Sequence, residues 1–343
     1  MTVYFSAIQP TCSAPHLGNY LGALRPCLQV EKKLRKNDLL LMCIADLHAL
    51  SNSFREKKKF SPLEMSQMRM KTALSVASCG FNSENTILFF QSSVAEHGRL
   101  CNVLSNFINV GQMLNCHHWK FAGKDLSRSV GYLNYPLLMT ADLILYMSNC
   151  TIVGNDQVNN INFVNRLISL LNHKLGGKFF RSLKKNIISS VKIKSLVNPD
   201  IKMSKSDPCA LSRILMTDDP EKIFLKIKKA KTDSIKGISY DQIMRPGVSN
   251  LIEIDSQISD RTISQIVNDH KQKNTSLDEY KSCLANKIVE YLKNFRNNYQ
   301  YYNTNSMNLE TMFRSGKKLA SSIAQKNFKK IENLLGLDNE FKF

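Results

Sequence analysis

Short apolar runs alternate with helical patterns along the first half of the chain. Val3–Ile8, Leu39–Ile44 and Thr86–Phe90 are apolar, β-prone runs of strand length. Between them, apolar residues recur every three or four positions over 17–28 and 62–78, which predicts amphipathic helices. A run that is apolar throughout, like the second, is typical of a parallel strand buried on both faces. Strands that alternate with helices predict an α/β fold with a parallel sheet.

The second half of the chain is helical in pattern. Asp219 and Pro220 predict an N-cap and a first-turn proline, and Ser276 with Glu279 predicts a capping box. Apolar stripes at helical spacing follow over 277–295 and 309–335. We therefore predict a nucleotide-binding α/β domain over 1–194, a loop and linker over 195–207, a helical domain over 208–300, and C-terminal helices over 301–343 that pack back on the first domain.

The charge balance points towards a polyanionic partner. The 343 residues include 47 Lys and Arg against 28 Asp and Glu, for a formal net charge of +19. Basic surfaces attract nucleic acid without regard to sequence. A biased composition rich in Lys, Asn and Ile explains the same excess, so charge alone leaves both interpretations open.

Apolar runs and cysteines indicate the membrane and redox environment in which the chain is expected. The longest clean apolar run, 39–45, is far too short to span a bilayer, so we expect no membrane association. The nine cysteines contain no CxxC pair, which argues against a zinc ribbon or redox motif and fits a reducing, intracellular setting. Since the first strand opens the chain, we expect no signal or transit peptide.

Three stretches carry candidate chemistry. His16 and Asn19 lie where a turn enters a helix after the first strand, a position that suits a phosphate, although an ordinary glycine-containing turn has the same composition. In the run 202–206 (KMSKS), two lysines and two serines supply donors for a triphosphate. Asp142 interrupts the apolar helix face formed by Met139, Leu143 and Tyr146. A carboxylate there needs a donor, from a substrate, a buried ion pair or a cap.

Polar residues also follow two strands. His48 comes shortly after the buried run 39–44, where it is either a ligand-facing residue or a satisfied core histidine. Gly154 to Gln157 (GNDQ) follow a strand that ends at Ile152 and Val153. A glycine there lets the backbone approach a ribose, and Asp156 is suited to its hydroxyls.

These motifs resemble those of one enzyme family. His16-Leu17-Gly18-Asn19 is similar to the HIGH signature of class I aminoacyl-tRNA synthetases, and KMSKS is their second signature. The wider run IQPT…PHLGNYLGA resembles tryptophanyl-tRNA synthetases of the bacterial and mitochondrial type. The resemblance implies a Rossmann-like catalytic domain, an all-helical anticodon-binding domain, a homodimer, and two-step ligation of L-tryptophan to tRNA(Trp) with ATP and Mg²⁺.

The resemblance also assigns residues. It implies catalytic roles for His16, Asn19, Lys202 and Lys205, with Asp142 accepting the indole N–H, and no metal ligand from the protein. It implies ATP contacts by Gln9, Pro10, Thr11, Gly18, Asn19, Gly154, Asn155, Asp156, Ile193, Lys202, Met203, Ser204, Lys205 and Ser206, and tryptophan contacts by Phe5, Gln9, His48, Tyr135, Met139, Asp142 and Gln157.

The chain departs from the family pattern at several positions. Asn19 stands for the second histidine of HIGH, Asn155 for a glutamate and Asn160 for a histidine, while Ala7 and Cys12 stand where glycine is usual. These changes bear on efficiency and on the contacts to ATP.

Three other functions share part of this pattern. They are a tyrosyl-tRNA synthetase, a nucleotidyltransferase of the HIGH superfamily, and a non-catalytic RNA-binding protein derived from a synthetase. Substrate-specific pyrophosphate exchange and adenylate formation separate them. The resemblance to mitochondrial forms suggests the mitochondrial matrix, with a cytoplasmic location as the alternative.

Overall fold

A parallel sheet forms the centre of the N-terminal half. The computed structural model describes residues 1–10, 14–53, 61–82, 84–121, 123, 129–154, 157–187, 193–205 and 207–337. Five strands pair in the order β3-β2-β1-β4-β5, all parallel, which confirms the predicted α/β class. Their bounds are β1 (Val3–Ile8), β2 (Leu39–Ile44), β3 (Thr86–Phe90), β4 (Cys150–Val153) and β5 (Lys184–Ile187).

The strand order reverses beside β1. From β1 the chain moves outwards to β2 and β3, and then returns to pair β4 on the other side, with Phe5 opposite both Leu41 and Thr151. Loops that leave the carboxyl ends of the strands diverge at such a switch point and open a crevice, where ligands bind in open α/β sheets. Gln9 and Gly154 follow the two strands at this place.

The sheet is covered by helices that connect its strands. They are α1 (Leu17–Asn19), α2 (Arg25–Glu31), α3 (Asp46–Ser53), α4 (Pro62–Ser78), α5 (Glu96–Ser105), α6 (Val110–Leu114), α7 (His117–Phe121), α8 (Val130–Leu133), α9 (Tyr135–Leu145) and α10 (Val158–Lys174).

The first helix is less regular than its leucine spacing predicts. A π-helical turn, Tyr20–Leu24, separates α1 from α2, and the Arg25 N–H bonds the Tyr20 carbonyl five residues back. Pro26, in the first turn of α2, has no N–H to donate to the α-helical ladder. A π-bulge absorbs such a break without ending the helix.

The C-terminal half is helical, as expected. Its helices are α11 (Pro220–Lys228), α12 (Pro246–Ser259), α13 (Ile263–Gln272), α14 (Leu277–Thr304) and α15 (Ser306–Leu334). The Asp219 N-cap and the Ser276–Glu279 capping box are both present. None of the described helices is long and apolar enough to cross a membrane.

The two halves share their cores. Leu17, Leu21 and Ile193 pack in one apolar cluster with Tyr280 and Leu284 of α14. At the other end α15 contacts β3 so closely that a Cβ added to Gly316 would lie 1.9 Å from the Leu88 carbonyl oxygen. The domain boundaries near 194, 207 and 300 stay predictions, because these shared cores mark no separation at those positions.

Candidate active site

The first motif forms a helix N-terminus. His16 is the N-cap of α1, and its ring Nδ1 accepts the Asn19 backbone N–H at 3.2 Å. Since that nitrogen accepts, the neutral ring carries its proton on Nε2 and can still donate from there. The Leu17 N–H bonds the Ile214 carbonyl at 2.8 Å, which anchors the motif to the segment that follows KMSKS.

The second motif lies against the first. Lys202 pairs with Lys194 in an isolated β-bridge, and the Met203 N–H bonds the Ile193 carbonyl at 3.0 Å. A Cβ added to Gly18 would lie 3.5 Å from Ile193 Cβ and 3.1 Å from His16 Nδ1. The absence of a side chain at Gly18 therefore makes room for the His16 ring, and Ile193 beside KMSKS packs at ordinary contact distance.

One cavity of about 270 Å³ at the switch point brings residues of every predicted group together. A neighbouring cavity of about 220 Å³ shares Gln9 and Asn19 with it and adds Lys205. Predicted site residues that line the first cavity are Phe5, Gln9, Gly18, Asn19, His48, Tyr135, Met139, Asp142, Gly154, Gln157 and Lys202.

The remaining predicted residues occupy other places. Ile193 and Met203 are buried in the shared apolar cluster, where they support the motifs rather than form the wall of either cavity. Pro10 is buried and Ser204 is half-buried, beside the described wall residues Gln9 and Lys205 respectively. Thr11, Asn155, Asp156 and Ser206 lie outside the described residues.

His16 sits in a cationic, buried environment. Burial, followed by the charges of Lys205, Lys202 and Arg213, lowers the pKa of His16 from 6.5 to about 4. His16 is 2 % exposed and is not among the described residues that line either cavity. It is therefore neutral at pH 7, and it can offer a hydrogen bond from Nε2 but no positive charge.

Asp142 is buried, and the protein itself supplies its donors. Gln91 Nε2 lies 2.8 Å from Oδ1 and 2.9 Å from Oδ2, while His97 Nδ1 lies 2.6 Å from Oδ1 and His48 Nε2 lies 3.1 Å from Oδ2. Burial alone would raise the pKa of Asp142, but the charges and hydrogen bonds of His97 and His48 lower it below its ordinary value. The carboxylate is ionised and already hydrogen-bonded.

The sequence left a substrate, a buried ion pair or a cap open as the donor to Asp142, and the structure supplies donors from the protein itself. Sequence reasoning missed Gln91, His97 and Tyr146, whose hydroxyl lies 2.9 Å from His97 Nε2. A signal for Gln91 existed, since it is the first residue after β3, at the same sheet edge as the other site residues.

The side chains around the cavity are also held by one another. Gln9 Nε2 donates to the Tyr135 hydroxyl at 3.3 Å, and the His48 and Tyr135 rings are 4.3 Å apart. Asn160 Nδ2 donates to Gln157 Oε1 at 2.8 Å, so the asparagine that replaces the family's histidine orients a cavity residue. Asn19 Oδ1 and His48 Nδ1 are buried without a hydrogen-bond partner in the described part of the chain.

Comparison with known proteins agrees with this geometry. The family model described as "tRNA synthetases class I (W and Y)" matches residues 1–328. A relative named mitochondrial tryptophan–tRNA ligase from Dictyostelium discoideum is 34% identical, covering 97% of this chain and 95% of its own. One named tryptophan–tRNA ligase from Bacillus anthracis is 32% identical, covering 99% of each chain. A crystal structure of tryptophanyl-tRNA synthetase from Campylobacter jejuni, complexed with ADP and tryptophan, is similar at a TM-score of 0.79 and 23% identity, covering 98% of this chain and 100% of its own.

The protein is thus a member of the class I tRNA synthetases of the tryptophan and tyrosine group. The resemblance seen in the sequence is confirmed, and so is the expectation of an enzyme. Within that group the chain belongs to the tryptophan–tRNA ligases, because its relatives at 32–34% identity over nearly the full length are of that kind.

Proposed function

We infer that this cavity activates L-tryptophan with ATP and passes the aminoacyl group to tRNA(Trp). The tryptophan carboxylate attacks the ATP α-phosphate, which gives tryptophanyl-adenylate and pyrophosphate. The 2′-hydroxyl of the tRNA terminus then takes the acyl group and releases AMP. The observation that carries this proposal is that the two phosphate-binding motifs meet at one crevice, beside a buried carboxylate.

The phosphates are held by neutral donors on one side and cations on the other. His16 Nε2–H and the Asn19 amide donate near the α-phosphate, close to the N-terminus of α1. Lys202 and Lys205 bind the leaving pyrophosphate. Their contribution is electrostatic and positional, because they stabilise charge that develops as the α–β bond breaks.

ATP enters as its magnesium complex. The described residues contain no group of three His, Cys, Asp or Glu side chains that could hold a metal ion. Cationic lysines are suited to an anionic polyphosphate whose Mg²⁺ is carried by its own oxygens. The nucleotide contacts proposed for Gln9, Pro10, Thr11, Gly18, Gly154, Asn155, Asp156, Ser204 and Ser206 complete this subsite, while Ile193 and Met203 support it from the apolar cluster.

The amino acid lies deeper, over the sheet. Phe5 and Met139 form walls for the indole ring, and Asp142 accepts its N–H. The polar atoms of Tyr135, Gln157, Gln9 and His48 are directed to the ammonium and carboxylate groups. Support comes from their shared place on one cavity wall.

Tryptophan-dependent pyrophosphate exchange tests the proposal. Lys202→Met and Lys205→Met should each lower kcat by about 10²-fold, the usual effect of removing one charge-stabilising donor. Lys293→Met is the matched control, since that side chain is 58 % exposed on α14, and its exchange rate should stay at the wild-type value. Exchange that depends on tyrosine rather than tryptophan, or full activity in both motif variants, would contradict the assignment.

The partners and the location extend the same proposal. The helical half around α11–α14 binds the anticodon arm, the protein works as a homodimer, and it resides in the mitochondrial matrix. Support for the last is the mitochondrial relative at 34% identity, although the bacterial relative at 32% is nearly as similar. Sedimentation of the purified protein tests the dimer, and imaging of the tagged chain in its own cells separates matrix from cytoplasm.

A further inference from the structure

A buried row of hydrogen bonds lies behind the tryptophan subsite. It runs from Tyr146, at the C-terminus of α9, through His97 on α5 to Asp142, with distances of 2.9 Å and 2.6 Å. His97 is 0 % exposed, and it lies outside the set of described residues that line the cavity. It therefore acts on a bound amino acid indirectly, and its hydrogen bond to Asp142 gives it a direct route to the cavity wall.

The direction of the hydrogen bond between His97 and Asp142 follows from the acceptors at its Asp142 end. Asp142 is ionised and has only acceptors, so His97 Nδ1 must donate to Oδ1. Burial raises the pKa of Tyr146 above its ordinary value, which keeps the phenol protonated and free to donate to Nε2. His97 thus connects Tyr146 to Asp142 through one hydrogen bond at each ring nitrogen.

The two oxygens of Asp142 have different surroundings. Oδ1 is held by His97 from behind, whereas Oδ2 is bonded by His48, which lines the cavity. Gln91 Nε2 lies within hydrogen-bond distance of both oxygens, and its Oε1 accepts the His48 backbone N–H at 3.3 Å, which fixes the orientation of the amide. When an indole N–H approaches Oδ2, Gln91 can keep its bond to Oδ1.

We propose that His97 and Tyr146 are positioning residues for amino-acid selection, which hold Oδ1 so that Oδ2 is presented to the indole N–H. The inference rests on the proposed role of Asp142. A carboxylate that can rotate presents its acceptor less often in the geometry that tryptophan needs. Loss of the row should therefore weaken tryptophan binding and selectivity, while ATP binding, at the far side of the cavity, should not change.

Two substitutions at His97 separate positioning from simple filling of space. Asparagine carries an amide N–H where His97 has Nδ1–H, whereas leucine has a similar volume and no donor. In pyrophosphate exchange, His97→Leu should raise KM for tryptophan about tenfold and lower the preference for tryptophan over phenylalanine, with KM for ATP unchanged. His97→Asn should stay within about threefold of wild type.

A double substitution and the milder variant Tyr146→Phe test whether His97 and Tyr146 act through Asp142. In an Asp142→Asn background, His97→Leu should have no further effect on selectivity, since it acts through the carboxylate. Tyr146→Phe keeps the ring that stacks on Phe5 at 5.8 Å and removes one hydroxyl. If His97→Leu does not fold, the KM of Tyr146→Phe for tryptophan tests the positioning role instead. A rise of about threefold or more supports the proposal.

Other results overturn one claim or both. A wild-type protein that exchanges normally, together with His97→Leu or Tyr146→Phe variants that lose only thermal stability, would refute the positioning role and leave the proposed function intact. Equal loss in His97→Leu and His97→Asn would also refute it. A wild-type protein that activates no tryptophan would refute the proposed function and, with it, this inference.

Discussion

The burial of His16 makes the stability of this protein depend on pH in a defined window. The folded-state pKa of about 4 lies below the ordinary value of 6.5. Between these two pH values, His16 is protonated in the unfolded chain but not in the folded chain. The contribution of His16 to the free energy of unfolding is therefore present above pH 6.5 and is lost as the pH falls towards 4. Its cause is burial first, and the charges of Lys205, Lys202 and Arg213 second.

The substitution His16→Asn isolates this effect. Asparagine is a good N-cap and offers Oδ1 to the Asn19 N–H, but it does not titrate. One pKa unit corresponds to about 1.4 kcal/mol, so from pH 8 to pH 5 wild type should lose about 2 kcal/mol relative to the variant. Between pH 7 and pH 8 the difference between the two proteins should stay constant.

Denaturant unfolding at pH 5, 6, 7 and 8 measures the difference. Trp119, the only tryptophan in the chain, is buried in the core beside the sheet and reports unfolding by its fluorescence. An NMR titration of the His16 ring gives its pKa directly. A difference that stays within about 0.5 kcal/mol from pH 8 to pH 5 would show that the ring is not held neutral, and would remove the argument that it donates as a neutral group.

Three further outcomes follow from single contacts. Asp142→Ala should reduce tryptophan-dependent pyrophosphate exchange by at least about 10²-fold and leave ATP affinity within about threefold, and an unchanged exchange rate would exclude its role in substrate binding. Gly316→Ala forces a Cβ to within 1.9 Å of the Leu88 carbonyl oxygen, so it should lower the melting temperature clearly, whereas Ser315→Ala on the exposed face of α15 should not. Gly18→Ala places a Cβ 3.1 Å from His16 Nδ1 and should slow tryptophan activation about tenfold without unfolding the protein. Wild-type kinetics in this variant would show that the His16 ring moves aside without loss of function.

The sequence by itself determined the elements whose causes are local. The apolar runs predict β1–β3 to the residue, and the caps at Asp219 and Ser276 mark where α11 and α14 begin. Both motifs proposed to bind phosphate were visible for the same reason, because closely spaced donors in a loop before or after a regular element are a short-range signal. Even here, the π-helical turn at Tyr20–Leu24 escaped prediction, since apolar spacing does not show how a helix accommodates Pro26.

Only the tertiary structure decided the electrostatics of the site. The donors to Asp142 come from Gln91, His97 and His48. These residues belong to three different parts of the chain and meet only once the sheet and its helices have packed. The low pKa of His16 likewise depends first on burial and then on the charges of Lys205 and Lys202, which are remote from it in the chain. Propensity and periodicity act over a few residues, whereas desolvation and Coulomb interactions depend on distances in space. The pKa values of the site are therefore determined only once the fold is complete.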